Sequence, residues 1–360
     1  MKPKVNRDLR GKKIFVGLSG GVDSAVTAAM LKERGAEITG VFIKGWYPPE
    51  LPCTWAEERR DAMRVAAHLD IPFYTLDASA EYKRAVIDYL IREYQSGRTP
   101  NPDIMCNRDV KFGVFHRFAK AHGADAIATG HYACILENDS GMHLLRGVDE
   151  TKDQSYFLWA VPREALANTH FPLGGLYKKE VRALARRYRL PNADKKDSQG
   201  ICFLGPVSMD DFLRAEIPHD PGVALDLGGG EVGRHDGAVL YTLGERVALS
   251  APLPGPWYVQ AKDLEANTLT VSHEHRASEP VESIKLSNLN WLTAPTAGDP
   301  LTAQYRYHGP RISGHLSETL NTFVVDKPLP EPLAQGQSLA LYCNEELLGG
   351  GIIEGNAKDH

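Results

Sequence analysis

The stretch that decides the fold is "GLSGGVDSAV", residues 17–26, which directly follows the short apolar run "KIFV" at 13–16. An apolar run, a glycine turn and an alanine-rich stretch predict a strand, a tight connection and a helix. The first backbone N–H groups of such a helix have no partner within the helix and point towards the turn. The stretch is therefore either a plain strand-to-helix connection or a cradle for a phosphate group.

The side chains of this turn favour the phosphate cradle. Gly20 and Gly21 let the backbone approach a phosphate closely, and Ser19 and Ser24 supply hydroxyl groups. Asp23 is a candidate ligand for a hydrated magnesium ion. The turn lacks the Gly-Lys-Ser/Thr ending of a Walker A loop and does not fit G-x-G-x-x-G, so the standard nucleotide-binding patterns are excluded.

The first half of the chain alternates between strand-like and helix-like segments. Apolar runs predict strands at 13–18, 37–44, 71–77 and 124–129, and helical periodicity predicts helices at 24–34, 55–69, 80–95 and 109–122. This alternation predicts an α/β fold with a doubly wound parallel sheet. Ligands bind such sheets beyond the carboxyl ends of the strands, which is where residues 17–26 lie.

The second half has a different pattern. After helices predicted at 177–190 and 208–216, short strands alternate with Gly and Pro turns about every ten residues. This spacing is typical of small antiparallel barrels or sandwiches. We therefore expect a catalytic α/β domain followed by two small β-rich domains, with intervals 1–217, 218–282 and 283–360.

Composition fits a soluble protein of two or three domains. The formal net charge of −5 combines a balance of +5 over residues 1–215 with −10 over residues 216–360, which suggests a polyanionic partner on one side only. No apolar run approaches the ~18 residues that span a bilayer. The five cysteines have neither a CxxC pair nor a regular spacing, which argues against a disulfide framework or a zinc finger. The cytoplasm is the expected location.

Two cysteines lie in polar surroundings. Cys106, in "TPNPDIMCNRDVKFG" at 99–113, precedes the helix predicted from 109, with Asn107 as the expected N-cap. Cys202 follows Lys195 and Lys196 in the sequence. A helix N-terminus or nearby cations favour a reactive thiolate, whereas burial would leave the thiol inert. The residues alone leave both readings open.

Several motifs together carry a family resemblance. They are "GLSGGVDS" (17–24), "NPDIMCN" (101–107), "TGHYA" (129–133), "KDQSYFL" (152–158), "KKDSQGICFLG" (195–205) and "LGGGIIE" (348–354). "SGGVDS" resembles the signature of the PP-loop ATP pyrophosphatases, which split ATP between its α and β phosphates. The full set resembles the bacterial tRNA-specific 2-thiouridylases, which convert the wobble uridine of certain tRNAs to 2-thiouridine.

The resemblance implies the following chemistry. ATP, with Mg²⁺, binds Gly17, Leu18, Ser19, Gly20, Gly21, Val22, Asp23 and Ser24, with Ile43 near the adenine and Gly130 on the far side. The C2 oxygen of the wobble uridine in the anticodon loop is adenylated, and a sulfur-relay donor protein supplies a persulfide to Cys202. Cys106 then frees that sulfur, which implies a transient disulfide between the two cysteines.

The resemblance also implies contacts with tRNA. Asn101, Pro102 and Asp103 would surround the target base, and Asp103 is a candidate general acid/base, although an Asx-Pro turn explains the same residues. Further tRNA contacts would come from His131, Lys152, Asp153, Gln154, Arg306, Tyr307 and Gln337. The protein is expected to act as a monomer without membrane contact.

Two other functions compete with this one. An amide- or guanidine-forming PP-loop ligase would need no cysteine pair. A nucleotide-responsive RNA-binding module would release no pyrophosphate from ATP.

Overall fold

The computed structural model describes residues 8–48, 55–197, 208–250, 255–275 and 280–356. Strands and helices alternate up to residue 216. In chain order they are β1 (Lys13–Gly17), α1 (Val22–Glu33), β2 (Glu37–Lys44), α2 (Trp55–His68), β3 (Phe73–Asp77), α3 (Ser79–Tyr82), a π-helical segment Lys83–Ile87, α4 (Asp88–Gln95), α5 (Pro102–Met105), a second π-helical segment Cys106–Val114, α6 (Phe115–Ala121), β4 (Ala126–Ala128), β5 (Ala133–Asn138), β6 (Gly141–Arg146), a 3₁₀ turn Ser155–Leu158, α7 (Arg163–Ala167), β7 (Thr169–His170), α8 (Lys178–Arg187) and α9 (Met209–Glu216).

Five of these strands form a parallel sheet in the order β3-β2-β1-β4-β7. The chain runs outwards from β1 through β2 and β3 and then returns to β4 on the other side of β1. The gap between β1 and β4 is therefore the switch point at which open α/β sheets bind ligands. The predicted doubly wound fold is confirmed, and β2 has the predicted bounds.

Helices cover both faces of the parallel sheet because successive side chains of a strand point to opposite faces. Ile14 and Val16 of β1 are fully buried in a core shared with α1, α2 and α8. Phe15, between them, packs into a second core with residues of the segment from α3 to α6. The sheet is thus a rigid support for the loops at its carboxyl edge.

The helix that carries Cys106 begins earlier than the sequence predicted. Asn101 is its extended N-cap and Pro102 occupies its first turn, and the helical segment then runs continuously to Ala121 through the π-helical residues. Proline suits the first turn because the N–H it lacks would have no partner there. The expected start at 109 with Asn107 as N-cap is wrong: Cys106 lies inside this segment, here called helix 102–121.

The rest of the chain is mostly strand. In chain order the elements are β8 (Gly222–Leu225), β9 (Glu231–His235), a 3₁₀ turn Ala238–Leu240, β10 (Arg246–Val247), β11 (Trp257–Asp263), β12 (Thr268–Ser272), β13 (Val281–Trp291), β14 (Leu301–Gln304), β15 (Arg311–Leu316), β16 (Thr322–Leu329), β17 (Ser338–Cys343) and β18 (Glu346–Asn356). The strands β10-β11-β12-β8-β9 form one sheet. The strands β13-β16-β15-β14-β17-β18 form a barrel, which closes because β13 also pairs with β18.

A hairpin from the first half is built into this C-terminal barrel. β5 and β6 pair with each other, and β6 extends the barrel sheet by pairing with β18, with Leu144 opposite Leu347 and Leu145 opposite Glu346. Leu144 and Leu347 are both fully buried. The three sequence intervals stay a prediction, but two strands of the first interval belong to the sheet of the third. No described helix has the length and apolar character required to cross a membrane.

Candidate active site

The PP-loop, residues 17–24, connects β1 to α1 in one conformation fixed by short contacts. The Ser24 hydroxyl donates to Gly21 O at 3.1 Å and accepts from Ser19 N at 3.2 Å. Gly20 has a φ of +77°, and a Cβ there would lie 2.5 Å from Glu58 O on α2. Gly20 is required on both counts, since other residues avoid this conformation and have no room here.

Residues of other loops pack against the PP-loop and hydrogen-bond to it. A Cβ at Gly130, which follows β4, would lie 2.9 Å from Ser24 N, so the two loops touch across the switch point. Asn192 donates from Nδ2 to Gly20 O at 3.0 Å, a contact that sequence analysis missed. Ile43 lies half-buried near the carboxyl end of β2, the neighbouring strand. The predicted nucleotide residues therefore gather at one edge of the sheet.

A charged cluster lies against the PP-loop. Lys178, at the first turn of α8, donates from Nζ to both carboxylate oxygens of Asp23 at 2.7 and 2.8 Å and lies 2.9 Å from Asp197 Oδ1. Asp197 also accepts from Lys152 at 3.1 Å and from Arg182 at 2.6 Å. Burial works to raise the pKa of Asp197, but hydrogen bonds from Lys178 and Lys152 lower it to about 2. The cluster places three cations around two carboxylates beside the PP-loop.

Sequence analysis missed Lys178 and Asp197. Asp197 lies in the quoted motif 195–205 but was given no role. For Lys178 the local signal was "YKKE", the start of a predicted helix, which does not indicate that this lysine reaches a residue 155 positions away. Asp23, the expected magnesium ligand, has Lys178 and the Tyr132 hydroxyl as its partners. Among the described residues, no group of three or more His, Cys, Asp and Glu side chains could hold a metal ion.

Helix 102–121 brings two predicted catalytic residues together. Asp103 and Cys106 are three positions apart, a spacing that places side chains on the same face of a helix. Cys106 is buried, with 3% of its surface exposed. Burial raises the pKa of Asp103, and the nearby Lys111 opposes that rise. Cys202 lies in 198–207, outside the described residues, so the meeting of the two sulfur atoms stays a prediction.

The predicted base-contacting residues lie at the start of this helix. Asn101 contacts the buried Tyr156, whose hydroxyl donates to Ser338 O at 3.1 Å. Pro102 is buried. His131 is also buried: its Nδ1 lies 2.7 Å from Thr129 Oγ1. Burial lowers the pKa of His131 well below its usual range, so the ring is neutral at physiological pH.

Two segments predicted to contact tRNA are joined by hydrogen bonds between mostly buried side chains. Asp153 accepts hydrogen bonds from Gly147 N at 2.9 Å and from the buried Arg146 at 3.3 Å. Arg146 also donates to Gln304 at 3.1 Å, and Gln304 in turn donates to Arg306 O at 3.0 Å. The segment 152–154 is thereby tied to Arg306 across a sequence separation of about 150 residues.

The aromatic side chains of these two segments also touch. The ring of Tyr307 lies 4.5 Å from the ring of Phe157, and Tyr307 remains 37% exposed. Gln154 is fixed in the same turn, because its Oε1 accepts from Tyr132 N at 3.1 Å. Gln337, the last predicted tRNA contact, instead donates from Nε2 to Thr99 O at 2.9 Å, just before helix 102–121.

Three family models together match most of the chain. A family model described as tRNA methyl transferase HUP domain matches residues 12–206, and models described as tRNA methyl transferase PRC-barrel domain and Aminomethyltransferase beta-barrel domain match 210–273 and 281–353. Among solved structures, the U34-tRNA thiolase NcsA from Methanococcus maripaludis shares 16% identity at a TM-score of 0.36, over 54% of this chain and 62% of that one. That likeness is too low to bear on function.

Curated proteins are much more similar. The tRNA-specific 2-thiouridylase MnmA of Lacticaseibacillus paracasei is 40% identical over 355 residues, which cover 95% of this chain and 94% of that protein. The protein of the same name from Chromohalobacter salexigens is 43% identical over 354 residues, covering 95% and 92%. Since these relatives match nearly end to end, the chain belongs to the family of tRNA-specific 2-thiouridylases.

Proposed function

We propose that this enzyme, which makes 2-thiouridine in tRNA, works in two steps at the edge of the parallel sheet. ATP first adenylates the C2 oxygen of the wobble uridine and releases pyrophosphate. Sulfur then replaces that oxygen, and AMP leaves. The first step is needed because the oxygen is a poor leaving group until it carries AMP. Acting on tRNA implies a cytoplasmic location, and we propose a monomer as the working form.

The PP-loop would hold the phosphates of ATP. The N-terminus of α1, a helix of 12 residues, directs unpaired N–H groups towards the loop, and such groups bind anions. Lys178 adds a positive charge at the same place. Asp23 has carboxylate oxygens, the ligands that Mg²⁺ prefers, but both are bonded to Lys178, so it would hold an ion carried in by the nucleotide only in place of that contact. Bound Mg²⁺ would supply further neutralisation of the phosphate charge.

Asp103 would exchange a proton with the uracil ring. Its raised pKa brings the carboxyl group closer to neutral pH, where a general acid/base works best. Asn101, fixed against Tyr156, would help to orient the base beside it. The uridine must leave its stack to enter this site, a move that costs little in a single-stranded loop.

The sulfur step involves both cysteines. The thiolate of Cys106 attacks the inner sulfur of a persulfide on Cys202, the outer sulfur leaves as hydrosulfide with the electron pair of the broken bond, and a disulfide joins the two residues. Hydrosulfide attacks C2 of the adenylated uridine, a proton is lost and AMP departs. A sulfur-relay protein would load Cys202, and an external thiol would reduce the disulfide before the next turnover.

A cavity on the N-terminal half has arginines in its lining that would meet the phosphate backbone of tRNA. Its volume is about 640 Å³, and its charged lining consists of Arg84, Arg108, Arg117 and Lys120 together with the carboxylates of Glu81, Asp109 and Glu164. Phe112, which contacts the ring of His131, also lines it, so this surface adjoins the loop that follows β4. Contacts of this kind make binding strongly dependent on salt.

The observation that carries the proposal is the preformed PP-loop in a chain matched nearly end to end by 2-thiouridylases. The test is incubation of the purified protein with unmodified tRNA, Mg-ATP and a persulfide donor, followed by nucleoside mass spectrometry and a pyrophosphate assay. We expect 2-thiouridine and pyrophosphate in equal amounts. Cys106→Ser and Cys202→Ser should each abolish the product, while Cys343→Ser, at an exposed site, is the matched control.

Other outcomes would identify the alternatives. Pyrophosphate release without 2-thiouridine, unchanged in both cysteine variants, would identify a PP-loop ligase. Binding of tRNA without any pyrophosphate release would identify a binding module. Either result with a tRNA that has uridine at the wobble position contradicts the proposed function.

A further inference from the structure

The residues immediately before helix 102–121 are held by the β-rich parts of the chain. Thr99 N donates to Gln335 O at 2.8 Å, and Gln337 Nε2 donates back to Thr99 O at 2.9 Å. On the other side, the Thr99 hydroxyl donates to Thr242 Oγ1 at 3.0 Å. Residues from both β-rich regions, the one around Thr242 and the C-terminal barrel, therefore fix Thr99 by its N–H, its carbonyl and its side chain.

Arg98 adds an ion pair that reaches the last strand of the barrel. Its guanidinium donates to both oxygens of Glu354 at 2.8 and 3.1 Å, and its Nε donates to Glu93 at 2.8 Å. All three side chains are less than a third exposed. Bidentate hydrogen bonds between an arginine and a carboxylate fix the orientation of the two groups as well as their distance. A hydrogen bond from Ser287 further holds Glu354.

The backbones also approach each other closely. Gly336 has a φ of +88°, and a Cβ there would lie 3.0 Å from Thr99 N and 3.0 Å from Arg98 Cβ. Only glycine allows both the conformation and the approach. We call this set of contacts the clamp: Arg98 and Thr99 on one side, and Thr242, Gly336, Gln337 and Glu354 on the other.

The chain between the clamp and the helix is stiff. Residues 100 and 102 are prolines, whose rings fix φ, and the residues that precede them, Thr99 and Asn101, are restricted as well. Asn101 is in turn held by Tyr156. A displacement of the clamp would therefore be passed on to Asp103 and Cys106 and would not be absorbed by a flexible loop.

We propose that Arg98, Thr242 and Glu354 are positioning residues for Asp103 and Cys106, so that the C-terminal barrel is part of the catalytic apparatus. None of the three needs to touch ATP or the reacting base. The roles of Asp103 and Cys106 in turnover rest on the proposed function, whereas the mechanical link between barrel and helix does not.

The first test uses Glu354→Ala and Glu354→Gln in the full-length protein. We expect kcat for 2-thiouridine formation to fall about 10-fold or more in Glu354→Ala, with KM for ATP unchanged, because the PP-loop lies outside the clamp. Glu354→Gln, which keeps one acceptor for Arg98, should give an intermediate kcat. Arg187→Ala is the control, since it breaks an ion pair between α8 and α1, to Glu33, that involves no residue of the clamp.

The second test reads the helix directly. In reduced protein, the rate of iodoacetamide labelling at Cys106 is followed by peptide mass spectrometry. Cys106 is buried, so we expect labelling at least about 5-fold faster in Glu354→Ala, with the exposed Cys343 unchanged as an internal reference. Should Glu354→Ala fold poorly, Thr242→Val removes at constant shape the hydroxyl that bonds Thr99 and Tyr94, and the same two readouts apply with smaller changes.

The outcomes separate this inference from the proposed function. A wild-type protein without 2-thiouridine activity would contradict the function, while the labelling rates would still report on the clamp. An active wild type with unchanged kcat and unchanged Cys106 labelling in folded Glu354→Ala and Thr242→Val would overturn the inference alone. Equal losses in Arg187→Ala would also overturn it, because they would indicate general destabilisation.

Discussion

The PP-loop and helix 102–121 are two halves of one site, but they are built in opposite ways. The PP-loop is fixed by contacts such as Ser19 to Ser24, five positions apart. Helix 102–121 is placed by contacts from Gln337 to Thr99, 238 positions apart. The turn of the PP-loop is therefore a local structure on a rigid sheet, contacted by Asn192 and Lys178 from later in the chain, whereas the sulfur end depends on contacts with the C-terminal barrel. Substitutions should reveal this difference.

The largest effect should follow Gly20→Ala. The new Cβ would meet Glu58 O in a conformation that alanine avoids, a strain of about 1–3 kcal/mol before the loop distorts. We expect calorimetric ATP affinity to fall at least about 30-fold and Cys106 labelling to stay unchanged. Gly175→Ala, with nothing within 4 Å of the added Cβ, is the control. Equal ATP affinity in both variants would refute a preformed loop.

Lys178→Ala should come next. It removes the hydrogen-bonded partner of Asp23 and leaves that carboxylate facing the phosphates. Hydrogen bonds to charged groups contribute about 1.5–3 kcal/mol, so we expect KM for ATP to rise about 10-fold or more. The neighbouring Lys179→Ala, at an exposed site, should behave as wild type. If Cys106 labelling changed while KM for ATP did not, Lys178 would act on the sulfur end of the site and not on the nucleotide end.

Asp103→Asn tests the other half of the site through pH. Because burial raises the pKa of Asp103, the folded protein binds more protons than the unfolded chain, and stability falls as pH rises above the usual aspartate pKa. Asp103→Asn should lose this dependence and be more stable than wild type at pH 8, where the wild-type carboxylate is charged.

The same variant should lose most 2-thiouridine formation while binding ATP normally. Asp139→Asn, in the exposed turn between β5 and β6, is the control for both the denaturation series and the activity assay. A wild-type pH dependence of stability in Asp103→Asn would contradict a buried carboxyl group at this position.

The smallest effect should follow Tyr307→Ala. Stacking of a base on an aromatic ring contributes about 1–3 kcal/mol, and partial exposure favours the low end, so we expect tRNA affinity to fall about 5-fold. ATP affinity and Cys106 labelling should not change. Tyr307→Phe keeps the ring and should bind tRNA as wild type does at the same salt concentration. If Tyr307→Ala and Tyr307→Phe bind tRNA equally well, the ring of Tyr307 does not contact tRNA.

The sequence predicted the features that depend on neighbouring residues and missed those that depend on distant ones. The strand at 37–44 and the PP-loop were predicted because apolar alternation and glycine turns act over a few residues. The start of helix 102–121 was missed because Asn101 and Pro102 also fit an Asx-Pro turn, although proline is common in the first turn of a helix. Lys178 and Asn192 were missed since their partners are 155 and 172 positions away.

The pairing of β6 with β18 has a consequence for how this protein can be divided. A fragment that ends before β13 would keep the β5–β6 hairpin but lose the strand beside it, exposing a hydrogen-bonding edge next to the apolar Leu144. Such edges recruit strands from other chains. An isolated nucleotide-binding half should therefore self-associate. A different C-terminal barrel could replace this one only if it also offered a strand that pairs with β6.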